Sequence, residues 1–256
     1  MRVTLATLLS LIALAQTADY RTSVDQWRAQ REAKLKAENG WLTVVDLAWL
    51  KDGDNHIPRI GVVTLKNGKA YFNKRELQPD TGGSPTTIFL GRLNFYIIER
   101  EGQLAVRVKD NDSPARRAFS GLKWYPIDAS WRVRAKFVKW PQPKTIVFDT
   151  AVGVKEPMTS AGYVSFQRDG KEYRLEPVEE DAELFFVIRD ATSGKSTYAA
   201  SRFLYTALPR DGFVDLDFNK TENPPCVFTD FATCPLPPPA NRLTLAVTAG
   251  EMMYQH

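Results

Sequence analysis

LNFYIIEREGQLAVRVK, residues 93–109, reads as two strands joined by a tight turn. Runs of mixed apolar and polar residues flank Glu101-Gly102, and a short Gly-containing link between such runs is a hairpin signal. At a period of two, Leu104, Val106 and Val108 share one face and leave Arg107 and Lys109 on the other. The arrangement recurs along the chain. Val62 to Leu65 and Lys69 to Asn73 flank Asn67-Gly68, and Tyr163 to Arg168 and Lys171 to Leu175 flank Asp169-Gly170. Glu183 to Arg189 and Ser196 to Leu204 flank Thr192-Ser193-Gly194. Hairpins in succession without intervening helices predict a mainly β chain, an antiparallel β-sandwich or barrel-like single domain over residues 19–256. Trp41 to Leu50 adds an apolar segment that periodicity assigns to neither strand nor helix.

One helix is expected, over Ser23 to Glu38. Val24, Trp27, Arg31 and Leu35 form a single stripe, Ser23 stands where a cap belongs, and Asn39-Gly40 supplies a left-handed stop. A narrow apolar stripe on a charged helix implies that it packs on the outside of the sheets. Upstream, residues 1–18 hold one charge, Arg2, then an apolar run from Val3 to Ala15 with small residues at Ala13, Ala15 and Ala18. That layout is a secretory signal peptide, too short to span a bilayer, so a secreted or periplasmic protein with no membrane span after cleavage is expected.

The formal charge is +4, a mild excess that implies no nucleic-acid partner. Trp131 to Phe137 alternates apolar and basic residues, placing Arg132, Arg134 and Lys136 on one face. This basic strand face supports either a solvated surface or contact with an acidic polymer. The two cysteines, Cys226 and Cys234, read most simply as one disulfide closing a small loop, with zinc as the rival reading. Only His56 and His256 are available as further ligands or as a catalytic base, so no metal site, no cofactor and no Ser-His-Asp triad is expected. Nucleotide-binding and zincin motifs are missing from the sequence.

Asp215 to Arg242, DLDFNKTENPPCVFTDFATCPLPPPANR, holds both cysteines and a dense run of prolines. Proline fixes φ and removes a donor, so this stretch is expected to be a long, stiff loop rather than regular structure. Around it lie Arg202, Asp217, Asn219, Asn223 and Glu251. Asp217 shares a strand face with Asp215, and Glu251 follows the apolar run Leu243 to Val247, expected as a strand beside Val214 to Phe218. That pairing would bring Asp217 and Glu251 together as candidate catalytic acid and base, with Arg202, Asn219, Asn223 and Arg107 as candidate ligand-binding residues. The other reading makes Asp217 and Asn223 caps for loop amides and Arg202 a partner for loop carbonyls.

The runs DFN, NPPC, CPLPP and AGE occur together here with VRVKDNDSPARRAF at 106–119, WYPIDASWRV at 124–133 and DATSGKSTYAASRFL at 190–204. With GWLTVVDLAWLKDGDN near the start, these motifs resemble the uncharacterised family called domain of unknown function 1684. After GDN the chain departs from the family pattern, at His56-Ile57-Pro58. The resemblance implies where a site lies more than what it does. The expected function is therefore an exported protein with a small-molecule site under the loop 215–242, its ligand anionic or a carbohydrate, and its reaction hydrolysis of a sugar or ester. The alternative is a non-catalytic ligand-binding or adhesion module that uses the basic strand face.

Overall fold

The computed structural model describes residues 5–255, with side chains from Ala18 onward. Helix α1 (Leu5–Lys36) leads into β1 (Val44–Trp49), β2 (Gly53–Ile57), β3 (Gly61–Lys66), β4 (Lys69–Phe72), β5 (Arg75–Leu77) and β6 (Ile88–Leu90). Then come β7 (Leu93–Arg100), β8 (Gln103–Asp110), the short α2 (Pro114–Ala118), β9 (Arg132–Asp149) and β10 (Lys155–Arg168). The order ends with β11 (Lys171–Leu175), β12 (Val178–Glu180), β13 (Glu183–Ile188), β14 (Arg202–Ala207) and β15 (Phe213–Asp217). Among the described residues the strands form four sheets, ordered β1-β8-β7-β6, β2-β3-β4-β5, β11-β10-β9-β15 and β12-β13-β14.

The expected class holds: the chain is mainly β, and its strand pairs are antiparallel. The tight turns are where the sequence puts them. Asn67 and Gly68 both take positive φ between β3 and β4, as do Glu101 and Gly102 between β7 and β8 and Asp169 and Gly170 between β10 and β11. Consecutive positive φ values match the strand twist of a two-residue hairpin. Trp41 to Leu50 resolves into a short 3-10 turn and strand β1.

One expected strand is shortened and another is not found, and both changes matter for the site. Ser196 to Ser201 lies outside regular strand, so β14 begins only at Arg202, and a loop rather than a tight turn joins it to β13. That loop is held by the Asp190 carboxylate, which accepts from the backbone and hydroxyl of Thr192. Leu243 to Val247 is extended chain running beside residues 189–191, with Leu243 N donating to Arg189 O and Ala191 N to Leu245 O. Its place beside Val214 to Phe218 is taken by β9, which pairs with β15 from Lys136 to Arg132.

The helix also starts earlier than expected. Ser23 is no cap; its hydroxyl donates back to Tyr20 O within α1. The stop is as expected, with Asn39 at φ 61°. Val24 and Leu35 are buried under the stripe. The signal-peptide reading covers residues 1–18, of which the first four and the side chains up to Thr17 lie outside the described part. Among the described residues no helix is long and apolar enough to cross a membrane.

Four apolar clusters organise the packing. β7 and β8 send Phe95, Ile97, Leu104, Val106 and Val108 toward the β2–β5 sheet. β9, β10, β13 and β15 meet over Ala135, Phe166, Phe186 and Leu216. On the other face of β13 and β14, Phe185, Val187 and Phe203 pack against Ala232 and Cys234 of the proline-rich loop. The foot of α1 packs Leu35 against Phe119, Val227 and Phe228. The second faces of β7–β8 and β13–β14 therefore confront each other across a space that the loop and α1 wall in.

Candidate functional site

That space is a cavity of about 610 Å³, within the usual range for small-molecule sites. Hairpin register builds one wall. β7 and β8 pair Tyr96 with Arg107 and Asn94 with Lys109, so all four side chains share the face opposite the apolar cluster. The other wall is aromatic: Phe185 stacks on Tyr205 at 4.7 Å and meets Phe203 edge-on at 4.8 Å. Trp41 and the loop residues Pro225, Thr233, Cys234 and Pro235 complete it.

Arg107 is the unusual group. It is 3% exposed, and among the described residues no carboxylate lies within ion-pair distance of it. Its guanidinium reaches Tyr96 Oη and Thr233 Oγ1 only at 3.5 and 3.4 Å, while Nε has no partner. The ring of Trp41 lies 5.2 Å from its Cζ. Lys109 donates to Asn39 O at 2.6 Å and has no carboxylate partner among the described residues. Burial, then the charge of Arg107, pushes its ammonium down to about 8. An unneutralised pair of cations with Arg107 buried and Lys109 half-buried costs stability, and nearby anions do not relieve it: Asp110 is engaged by Arg59 and Arg92, Asp112 by Arg92 and Arg117.

Helix α1 contributes Arg31, which lines this cavity and a second one of about 740 Å³ on the other side of Glu222 and Tyr205. Arg31 Nε lies 2.9 Å from Glu251 Oε1 and 3.3 Å from Glu222 Oε2, and Nη2 donates to Asn223 O at 2.8 Å. Burial pushes the Glu222 carboxyl up to about 7, against the pull of Arg31 and with the help of Glu251. Glu222 faces both cavities. Glu251 lines neither; it is fully buried, with Oε2 accepting from Asn223 N at 2.8 Å, and burial raises its pKa.

The residues expected to form the site divide accordingly. Arg107 lies in the first cavity. Arg202 does not: its fork is consumed by Asp190 Oδ2 at 2.7 Å and by the carbonyls of Ala249 and Val247. Asn219 clamps the Asp128 peptide, accepting from its N and donating to its O, and Asn223 donates to Met252 O. Asp217 lines the second cavity, where it accepts from Tyr20 Oη at 2.8 Å and caps Asn219 N. Asp217 and Glu251 are not brought into one cleft, because the run Leu243 to Val247 that carries Glu251 lies beside residues 189–191 instead of β15. Of the capping and strut roles, Asp217 caps a loop amide, whereas Asn223 Oδ1 has no partner and Arg202 holds carbonyls of the C-terminal run instead of the loop.

The expected Cys226–Cys234 disulfide is not formed in this structure: the two are free thiols lying together, with Cys226 N 3.2 Å from Cys234 Sγ and Cys226 Sγ 3.8 Å from Tyr198 Oη. The hydrogen bond between the thiols lowers Cys226 and pushes Cys234 up. On the basic strand, Arg132 is paired with Asp215 at 3.1 Å and Arg134 stacks over Phe213, so that face is partly neutralised. Tyr96, Trp41, Thr233, Glu222, Glu156 and Glu180 are cavity residues the sequence reading missed. Tyr96 had a usable signal, since the Glu101-Gly102 turn sets it opposite Arg107.

Comparison with curated proteins finds no match. Among solved structures, the chain is similar to the solution NMR structure of an uncharacterized protein from Haloarcula marismortui. The two are 32% identical over 54% of this chain and 80% of that one, with a TM-score of 0.46. The family model described as "Protein of unknown function (DUF1684)" matches residues 117–252, which include Arg202, the loop 215–242 and Glu251 but not β7 and β8. With more than half of its residues matched, the chain belongs to this family.

Proposed function

We propose that this protein binds a small organic anion in the cavity between β7–β8 and β13–β14, with Arg107 and Lys109 holding the oxyanion and the aromatic wall holding its apolar body. One observation carries the reading: Arg107 is buried against a cavity with an unpartnered Nε and, among the described residues, no carboxylate in ion-pair reach. Guanidinium forks pair with carboxylates and phosphates through two parallel bonds, and the free Nε leaves such an edge open. Thermal-shift titration with benzoate, phenyl phosphate, benzyl alcohol and benzylamine tests it. The two anions are expected to raise the melting temperature and the alcohol and amine to leave it unchanged, with the anion effect lost in Arg107→Met. Equal response to all four probes, or an anion response that survives Arg107→Met, would sink the proposal.

Glu222 favours a hydrolytic use of the same site, on an ester or sugar bond. A carboxyl poised near neutrality at the junction of two cavities suits general acid–base work. Turnover of 4-nitrophenyl esters and glycosides by the wild-type protein, lost in Glu222→Gln with anion binding retained, would support it; no turnover would leave a binding protein. We place this activity outside the cytoplasm, on the leader-like composition of residues 1–18, with Cys226 and Cys234 joined there. Intact mass of exported protein, alkylated before and after reduction, checks both: residues 1–18 retained or two free thiols would count against them.

A further inference from the structure

The cavity's charges are sorted by position. Arg100 is occupied by Asp80 at 3.0 Å, and Arg31 by Glu222 and Glu251. What remains is Arg107 and Lys109 on β8, and Glu156 and Glu180 on β10 and β12, all lining the same space. Among the described residues none of these four is in an ion pair. The two sets are also apart along β7: Arg100, the neighbour of both glutamates, sits at the turn end of the strand, and the positions opposite Arg107 and Lys109, Tyr96 and Asn94, lie about 13 and 20 Å further along it at the usual rise per residue. Lys109 responds to burial and to Arg107 alone, whereas Glu180 responds to burial, then to Asp181 and Glu156, with Arg100 opposing. Glu156 is raised by burial and Asp80, again against Arg100. Had the acids and the cations been adjacent, each would hold the other ionised; instead each set repels within itself. Glu156 is half-buried and Glu180 exposed, while Arg107 is buried and Lys109 half-buried, so the acidic end is the more open of the two.

Tyr96, Met158 and Phe185 line the same space. A simple anion would neutralise one end and leave the repulsion at the other untouched. We propose that the ligand of this cavity is a zwitterion with an apolar middle, its oxyanion on Arg107 and Lys109 and its ammonium on Glu156 and Glu180. The inference rests on the reading of the cavity as an anion site and adds the second pole. Complementary charge at both ends also excludes wrong ligands, since a dianion would place a negative group against the two glutamates.

The probes are straight-chain ω-aminocarboxylates of increasing length, each compared by calorimetry with the carboxylate and the amine of the same length, on the full chain. At the length that spans the cavity the ω-aminocarboxylate is expected to bind at least about tenfold tighter than the plain carboxylate, equivalent to about 1.4 kcal/mol. In Glu156→Gln/Glu180→Gln that tenfold should vanish while the plain carboxylate keeps its affinity, which also shows that the variant is folded. Equal affinity for aminocarboxylate and carboxylate at every length would overturn the zwitterion and leave the anion site standing. So would an amino-group advantage that survives the double substitution. If no carboxylate binds at all, both readings fall together.

Discussion

Two buried arginines both leave Nε without a partner, and they differ in what the terminal nitrogens meet. Arg202, 1% exposed, spends its fork on Asp190 and the carbonyls of Val247 and Ala249, so it ties β14 to the C-terminal run. Arg202→Lys keeps the charge and loses the planar fork, and is expected to lower unfolding free energy by on the order of 1–3 kcal/mol. Arg107→Met removes a cation with no counter-ion, so its stability should be unchanged or raised even as anion binding is lost. Urea unfolding of both variants checks the contrast; a large loss for Arg107→Met would make that residue a strut. Arg107 and Lys109 were legible because a two-residue period is hard to misread beside Leu104, Val106 and Val108. Glu156 and Glu180 were not, because they sit on strands of other sheets and reach the cavity only through packing between sheets.

At the scale of elements, the motif AGE is explained by a close approach of backbones. Gly250 has φ +79°, and a Cβ there would meet Thr221 O at 2.4 Å and Phe218 O at 2.9 Å. That proximity lets Glu251 N donate to Thr221 O at 2.8 Å and Tyr125 N to Gly250 O, which sets the Glu251 carboxylate under Asn223 and Arg31. Gly102 is the natural control, since it has φ +74° but open space around it. Gly102→Ala should cost only backbone strain, about 1–3 kcal/mol, and Gly250→Ala clearly more, because rigid carbonyls cannot move aside. Equal denaturation midpoints for the two would show that the C-terminal run is not wedged against the loop. The irregularity of 215–242 was readable from its prolines. The neighbour of Leu243 to Val247 was not, since apolar alternation fits extended chain held by two backbone bonds to residues 189–191 as well as it fits a strand. Ser23 misled for a related reason: a serine caps a helix only where the helix starts, and the hydroxyl bond to Tyr20 O lets it sit inside one.

For the whole molecule, the sheets and α1 enclose titrating groups that couple folding to pH. Glu222 is pushed up to about 7 from an ordinary 4.5, so between those values the folded chain holds a proton that the unfolded chain releases. Stability should therefore fall as pH rises through that window, and Glu222→Gln should flatten the fall. Glu251 is raised in the same direction and remains, so the slope is expected to shrink without vanishing. Urea midpoints at about pH 5 and pH 8 measure it, and an unchanged slope would mean that Glu222 titrates normally. The central claim is that Arg107 and Lys109 are unpaired because a ligand completes them. Soaking crystals with 4-iodobenzoate and locating iodine by anomalous scattering tests it most directly. The account predicts an iodine peak beside the Phe185 and Tyr205 rings, with the carboxylate on the Arg107 fork and Lys109. A structure with Arg107 engaged by a protein carboxylate, or with iodobenzoate bound elsewhere and this cavity closed, would contradict it.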